Sequence, residues 1–133
     1  MLIRHASAGK RTEWEGNDRR RPLDERGRQQ ALRLVGLLAD YPIERILSSP
    51  YDRCVQTVEL LARARGLAIE MRDELAEERQ VEEGVALVAR LLGMDTAVCC
   101  HGGLSEVAVG ESQKKGETLV LATDGTVRMR VRA

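Results

Sequence analysis

Two histidines are all this chain holds, His5 in "MLIRHASAG" and His101 in "AVCCHGGLSE", and each directly follows a short apolar run. Arg4 precedes the first. Arg53 follows Ser48-Ser49-Pro50 in "ILSSPYDRC". Imidazole can act as nucleophile, hydrogen-bond donor or proton carrier. Guanidinium offers a planar fork of donors that matches a phosphate. Glycine at Gly102 lets backbone N–H groups come close to an anion. Brought together, Arg4, His5, Arg53 and His101, with Ser48 and Gly102 beside them, make a pocket for a small dianion. The chemistry is then phosphoryl transfer on imidazole. Arg53 falls in the first turn of an expected helix, against the helix dipole, and that placement favours a specific anion partner.

Other chemistries fail on spacing. Gly9-Lys10 lacks the upstream glycine of a P-loop, and Arg11 stands where Ser or Thr should follow. No cysteine has an arginine six residues later, so a Cys-based phosphatase loop is absent. Two distant histidines without Cys-x-x-Cys give no zinc site. "GGLSEV" is not a nucleophile elbow. The expectation is a site with no metal and no cofactor.

The elements that must position these residues alternate in type. "LIRHASAG" reads as a very short strand entering a small-residue loop that runs to about Pro22. "LDERGRQQALRLVGLLADY" has Ala31, Leu34, Val35 and Leu38 on one helical face and Asp24 as N-cap. "IERILSSP" is a strand stopped by Ser-Ser-Pro. "YDRCVQTVELLARARG" is a helix with Cys54, Val58, Leu61 and Ala62 down one side and Gly66 at its end. A strand over Ala68–Met71, a helix in "EEGVALVARLLG" and a buried strand "TAVCC" follow. In "ETLVLATDGTVRMRVRA", Asp124-Gly125 marks a two-residue hairpin turn in which both residues take positive φ.

This pattern predicts one α/β domain over residues 1–133: a three-layer sandwich with a mostly parallel central sheet flanked by helices and an antiparallel C-terminal edge hairpin. Ligands of such sheets bind beyond the carboxyl ends of the strands, where Arg4-His5, Ser48-Ser49 and His101-Gly102 all fall.

With one Trp, two Tyr and no Phe, the core must be aliphatic. Formal net charge is zero, so overall charge argues for neither a nucleic-acid nor a membrane-surface partner, and neither is expected. Lys10, Arg11, Arg19, Arg20 and Arg21 still cluster, as a solvated loop or as a cationic rim that gathers an anion. Cys54, Cys99 and Cys100 are odd in number, and the adjacent pair points to opposite strand faces, so a disulfide framework is not expected. Free thiols and the lack of an apolar stretch near the roughly 20 residues of a membrane span suggest a cytoplasmic protein. Only Met1, Leu2 and Ile3 precede Arg4, so no signal peptide is read. Nothing in the sequence specifies an oligomeric state.

"LIRHASAG", "RPLDERGRQQA", "ILSSPYDRCVQTVELLA", "ELAEE" and "VCCHGG" resemble, in that order, the sequence blocks of the histidine phosphatase (phosphoglycerate mutase-like) superfamily. The brevity resembles its SixA-like phosphohistidine phosphatase branch. The opening resembles phosphatase domains fused to Nudix domains. The superfamily's Arg-His-Gly is here Arg4-His5-Ala6, a variant of the short branches. The resemblance implies that His5 is a nucleophile that becomes phosphohistidine, with Arg4, Arg53 and His101 completing the phosphate pocket. It implies a general acid at Glu77 in Leu75-Ala76-Glu77, with Glu74 and Glu78 close by as alternatives, and a place for Ser48 near the pocket. Ten residues separate Gly103 from Lys114, so the helix there should be short or lost and no insertion forms a lid.

Three readings follow. The first is a metal-independent phosphatase working through phosphohistidine at His5, on a phosphorylated protein. The second is a hydrolase of small or nucleotide-derived phosphate esters. The third is a phosphate- or phosphopeptide-binding module without turnover.

Overall fold

Period-two alternation in the strands decides the layering. Ile3, Ile46, Ala97 and Cys99 pack in one apolar cluster, while Leu2, Leu47, Val98 and Cys100 pack in another. Each short strand therefore feeds two cores, and each face of the sheet needs its own helices.

The computed structural model describes residues 1–133. In chain order the elements are β1 (Leu2–Arg4), α1 (Glu25–Leu37), β2 (Arg45–Ser48), α2 (Asp52–Arg65), β3 (Ile69–Met71), α3 (Val81–Leu91), β4 (Thr96–Cys100), α4 (Gly102–Val109), β5 (Glu117–Leu121) and β6 (Val127–Arg132). Short 3₁₀ turns lie at Arg11–Glu13, Asp18–Arg20 and Asp73–Leu75. The sheet order is β3-β2-β4-β1-β5-β6. The first four of these strands are parallel, and β5 and β6 close the edge antiparallel. Leu34 and Leu38 with Cys54, Val58 and Leu61 bring α1 and α2 to one face. Leu87, Val88 and Leu104 bring α3 and α4 to the other. The three-layer α/β sandwich follows.

Local chemistry explains the boundaries. Asp24 caps α1, accepting from Gly27 N at 2.8 Å. Gly66 ends α2 in the left-handed conformation, φ 65°. The segment after β4 keeps a helix, α4, of eight residues.

The hairpin forms by a different turn from the one expected. No residue other than glycine has positive φ, so Asp124 stays on the negative side and only Gly125, φ 87°, crosses. Gly125 N donates to Ala122 O at 2.9 Å, and Ala122 N donates to Thr126 O at 2.8 Å. This is a three-residue loop with glycine last, the common alternative to the two-residue turn. Asp124 Oδ1 accepts from Thr126 N and Oγ1, which rewards Asp124 for its ordinary backbone.

Candidate active site

Register is what joins the two histidines. In the β1–β4 pair Ile3 lies opposite Cys99 and Arg4 opposite Cys100, and His5 N donates to Cys100 O at 3.1 Å. On the other side of β4, Ser48 lies opposite Cys99 and Ser49 N donates to Cys99 O at 2.9 Å. His5, His101 and Ser49 thus leave three adjacent parallel strands at one level, at their carboxyl ends. The rings of His5 and His101 stand 5.5 Å apart, edge to face.

His5 is held in one tautomer. Nδ1 lies 2.8 Å from Ala6 O, and a carbonyl only accepts, so Nδ1 carries the hydrogen and Nε2 keeps its lone pair. Burial drives the His5 pKa down to about 3, aided by the charges of His101, Arg53 and Arg4 and opposed by the Ala6 contact. The ring is therefore neutral at physiological pH. The loop that follows is fixed from several sides. Ala6 N donates to Thr57 Oγ1 at 2.9 Å, Ser7 N to Gln30 Oε1 at 2.8 Å, and Ser7 Oγ and Gly9 N to Asp24 at 2.7 and 3.0 Å.

Arg4 lies flat across the start of α4. A Cβ at Gly102 would meet the Arg4 guanidinium carbon at 2.9 Å and its Nε at 3.0 Å, so only glycine permits this approach. Arg4 Nη1 donates to Gln113 O. Arg53, with no exposed side chain, donates from Nη1 to Asp18 O at 2.9 Å and from Nη2 to Asp18 Oδ2 and Glu77 Oε2 at 3.1 and 2.7 Å. These carboxylates offset its unfavourable place in the first turn of α2. The Tyr51 ring packs edge-on to His101 at 4.8 Å and beneath the Arg53 guanidinium at 4.7 Å. Ser49 Oγ and Cys54 Sγ approach His101 Nε2 at 2.9 and 3.6 Å.

Three buried nitrogens at this place have no partner: Arg4 Nε, Arg53 Nε and His101 Nδ1. Buried polar atoms are nearly always paired, and all three belong to residues close enough for their charges to act on His5. No three His, Cys, Asp or Glu side chains converge to hold a metal ion.

Two of the residues singled out from sequence behave differently from the rest. Ser48 is fully buried and donates to Ser49 O at 2.8 Å; the hydroxyl that reaches a histidine belongs to its neighbour, Ser49. Glu77 joins the site through Arg53, and both its oxygens also accept from Arg11 Nη2 at 2.8 Å. Asp18, Tyr51 and Thr57 had no sequence signal, since each acts through contacts distant in the chain. The cationic loop is an ion-paired strap rather than a free rim: Arg11 pairs with Glu77, Arg19 with Glu78 and Arg21 with Asp18. A larger cavity, about 410 Å³, lies among Met1, Tyr41 and Met129 at the opposite end of the strands, away from both histidines.

A neutral buried imidazole, a second imidazole and two guanidiniums thus meet at the carboxyl edge of a doubly covered parallel sheet, where α/β proteins of this class bind their ligands. Comparison with known proteins narrows it. The profile of the histidine phosphatase superfamily (branch 1) matches residues 1–86, and the chain belongs to that superfamily. It is 38% identical over 107 residues to the 8-oxo-(d)GTP phosphatase of Mycolicibacterium smegmatis, covering 77% of this chain and 33% of that protein. The chain thus spans about a third of that relative's length. Among solved structures, a SixA protein histidine phosphatase complexed with tungstate aligns with a TM-score of 0.78 at 23% identity, over 98% of this chain and 94% of that one. The phosphohistidine phosphatase SixA proposed from Agrobacterium tumefaciens aligns with a TM-score of 0.79 at 26% identity, over 99% and 96%. The fold is that of these short SixA-like members. No helix is long and apolar enough to cross a membrane.

Proposed function

We propose that this chain is a phosphatase that works through a phosphohistidine at His5, without a metal, on phosphohistidine carried by a protein. The carrying observation is a neutral His5, its Nδ1 tied to Ala6 O, with His101, Arg53 and Arg4 close enough for their charges to act on it and each holding a buried nitrogen without a partner. Membership of the superfamily and likeness to SixA support the phosphatase.

His5 Nε2 attacks phosphorus, and the bond to the leaving group breaks, its electron pair departing with that group. The ring gains positive charge, which Ala6 O steadies through Nδ1–H. Arg4, Arg53 and His101 spread the charge of the three equatorial oxygens. Water then attacks the phosphohistidine, the P–N bond electrons return to Nε2, and the water proton leaves with inorganic phosphate. Imidazole departs without much help, whereas an alkoxide needs a proton, for which Glu77 is the nearest carboxyl group to Arg53. Three free thiols suit a reducing cytoplasm.

The Mycolicibacterium relative favours a second reading, in which the substrate is a nucleotide-derived phosphate. The test is intact-mass analysis after brief mixing with phosphoramidate, for wild type and His5→Ala. An acid-labile, alkali-stable phosphate adduct absent from the variant supports the reading. Saturable vanadate binding with neither adduct nor released phosphate overturns it in favour of a binding module. Relative rates on a phosphohistidine protein and on nucleotides separate the two substrate classes.

A further inference from the structure

Lys115 stands beside the phosphate pocket, and the mechanism above leaves it without a task. Both its flanks are pinned to the end of β1. Gln113 O accepts from Arg4 Nη1, and Gly116 N donates to Arg4 O and His5 O at 3.2 and 3.1 Å. Lys115 O accepts from Gln30 Nε2 at 3.1 Å, and Gln30 Oε1 accepts from Ser7 N at 2.8 Å. The backbone of Lys115 is thus fixed against the loop that follows His5, while the residue itself is exposed. Burial lowers the pKa of its ammonium, and the charges of Arg4, Arg21 and Arg53 lower it further against the pull of Asp24. Asp24 is already taken, its oxygens accepting from Gly27 N, Ser7 Oγ and Gly9 N. Asp18 pairs with Arg21 and Arg53 and leaves Lys115 unpaired. A cation held among three guanidiniums without a carboxylate of its own is unfavourable until an anion arrives.

We propose that Lys115 is a specificity residue that receives a second anionic group, carried by the substrate next to the phosphoryl group that His5 attacks. The proposal rests on the phosphate pocket described above and goes beyond it. The three equatorial oxygens of the phosphoryl group are matched by Arg4, Arg53 and His101. A further cation at the rim therefore faces whatever the phosphoryl group is attached to. Lysine suits that place: its ammonium is a compact charge on a flexible stem, able to follow an anion whose position varies, where the planar fork of arginine fixes one geometry. The shared chemistry is negative charge one linkage beyond phosphorus. A carboxylate beside the phosphorylated residue of a protein supplies it, and so does the next phosphate of a diphosphate.

The test is calorimetric titration of the whole chain with inorganic phosphate and with inorganic pyrophosphate, which needs no turnover. Lys115→Gln should lose about ten times more affinity for pyrophosphate than for phosphate, as expected for one charge-assisted hydrogen bond. Lys115→Arg keeps the charge and should recover most of that difference. Lys114→Gln removes the same charge from the exposed neighbour and measures what general electrostatics contributes; it should lose far less. Equal loss of both anions in Lys115→Gln, or the same ratio in Lys114→Gln, overturns the proposal. Turnover then names the source of the second anion. Phosphohistidine peptides with Asp or Asn beside the histidine are compared with pyrophosphate, for wild type and Lys115→Gln. A preference for the Asp peptide that the variant loses assigns the carboxylate, and a loss confined to pyrophosphate assigns the diphosphate. No preference of either kind overturns the proposal. A missing adduct at His5 with the titration ratio intact would sink the turnover reading alone, whereas failure of wild type to bind either anion would overturn the pocket and the proposal together.

Discussion

Nδ1 of His5 lies 2.8 Å from the carbonyl oxygen of Ala6, its own chain neighbour. The contact is local, so the tautomer is set by the first turn of backbone after β1 rather than by a distant carboxylate. A carboxylate there would stabilise the imidazolium; a neutral carbonyl steers the ring while leaving burial to keep it uncharged.

The pH consequence is direct. With burial holding His5 at about 3 in the folded chain against an ordinary 6.5, the unfolded chain binds the proton first as pH falls. His5 therefore costs nothing at neutrality, and stability drops progressively from about pH 6.5 toward pH 3. Ring ¹⁵N spectra should report a neutral Nδ1–H tautomer at pH 5.5. A urea series should show that His5→Asn loses less stability than wild type between pH 6.5 and 4. A protonated ring at pH 5.5 would refute the assignment.

Adjacent serines should separate by function. Ser49→Ala removes the hydroxyl 2.9 Å from His101 Nε2, so His101 loses the contact that aims its ring. We expect kcat to fall about tenfold for the loss of one such hydrogen bond. Ser48→Ala removes only a buried bond to a backbone carbonyl. It should cost about 1 kcal/mol of stability with kcat unchanged. Steady-state kinetics and denaturant unfolding on both variants check the pair.

That contrast also shows what sequence could carry. Strand alternation and the placement of Arg4, His5 and His101 at strand ends were readable, because both depend on local pattern and on where parallel sheets present ligands. Ser48 and Ser49 were not separable, since the last residue of a strand and the first beyond it differ in direction only once the register with Cys99 is fixed. Asp18 and Tyr51 were silent for the same reason: Arg53 meets Asp18 across 35 positions of chain. At Asp124-Gly125 the hairpin was legible but its loop was not, because the same dipeptide serves both turn types and the side chain of Asp124 tips the choice.

Gly27 is the position where a single methyl should do most damage. A Cβ there would lie 1.9 Å from Ser7 O and 3.1 Å from Leu23 Cβ. Ser7 O also accepts from Asp24 N, so it cannot retreat without pulling the loop that carries His5. Gly27→Ala, ordinarily mild in a helix, should cost about 3 kcal/mol through overpacking and should lower phosphate affinity in whatever folds. Urea unfolding within 1 kcal/mol of wild type would show that α1 slides instead.

Glu77 poses the question of acid or anchor. It accepts from Arg53 Nη2 at 2.7 Å and from Arg11 Nη2 at both oxygens, an arrangement that orients the Arg53 guanidinium. General acid catalysis is worth about 10²–10⁴-fold where the leaving group needs it, and little where the leaving group departs readily. Glu77→Gln keeps a carbonyl oxygen for Arg53 and removes the acid. Its kcat/KM should therefore stay within threefold on phosphoramidate and p-nitrophenyl phosphate, and fall about 10²-fold on an alkyl phosphate. Glu77→Ala, which also frees Arg53, should lower affinity for vanadate on top of that. A uniform loss across all three substrates with Glu77→Gln would make Glu77 an anchor for Arg53 and nothing more. An unchanged alkyl-phosphate rate would leave the departing oxygen to take its proton from water.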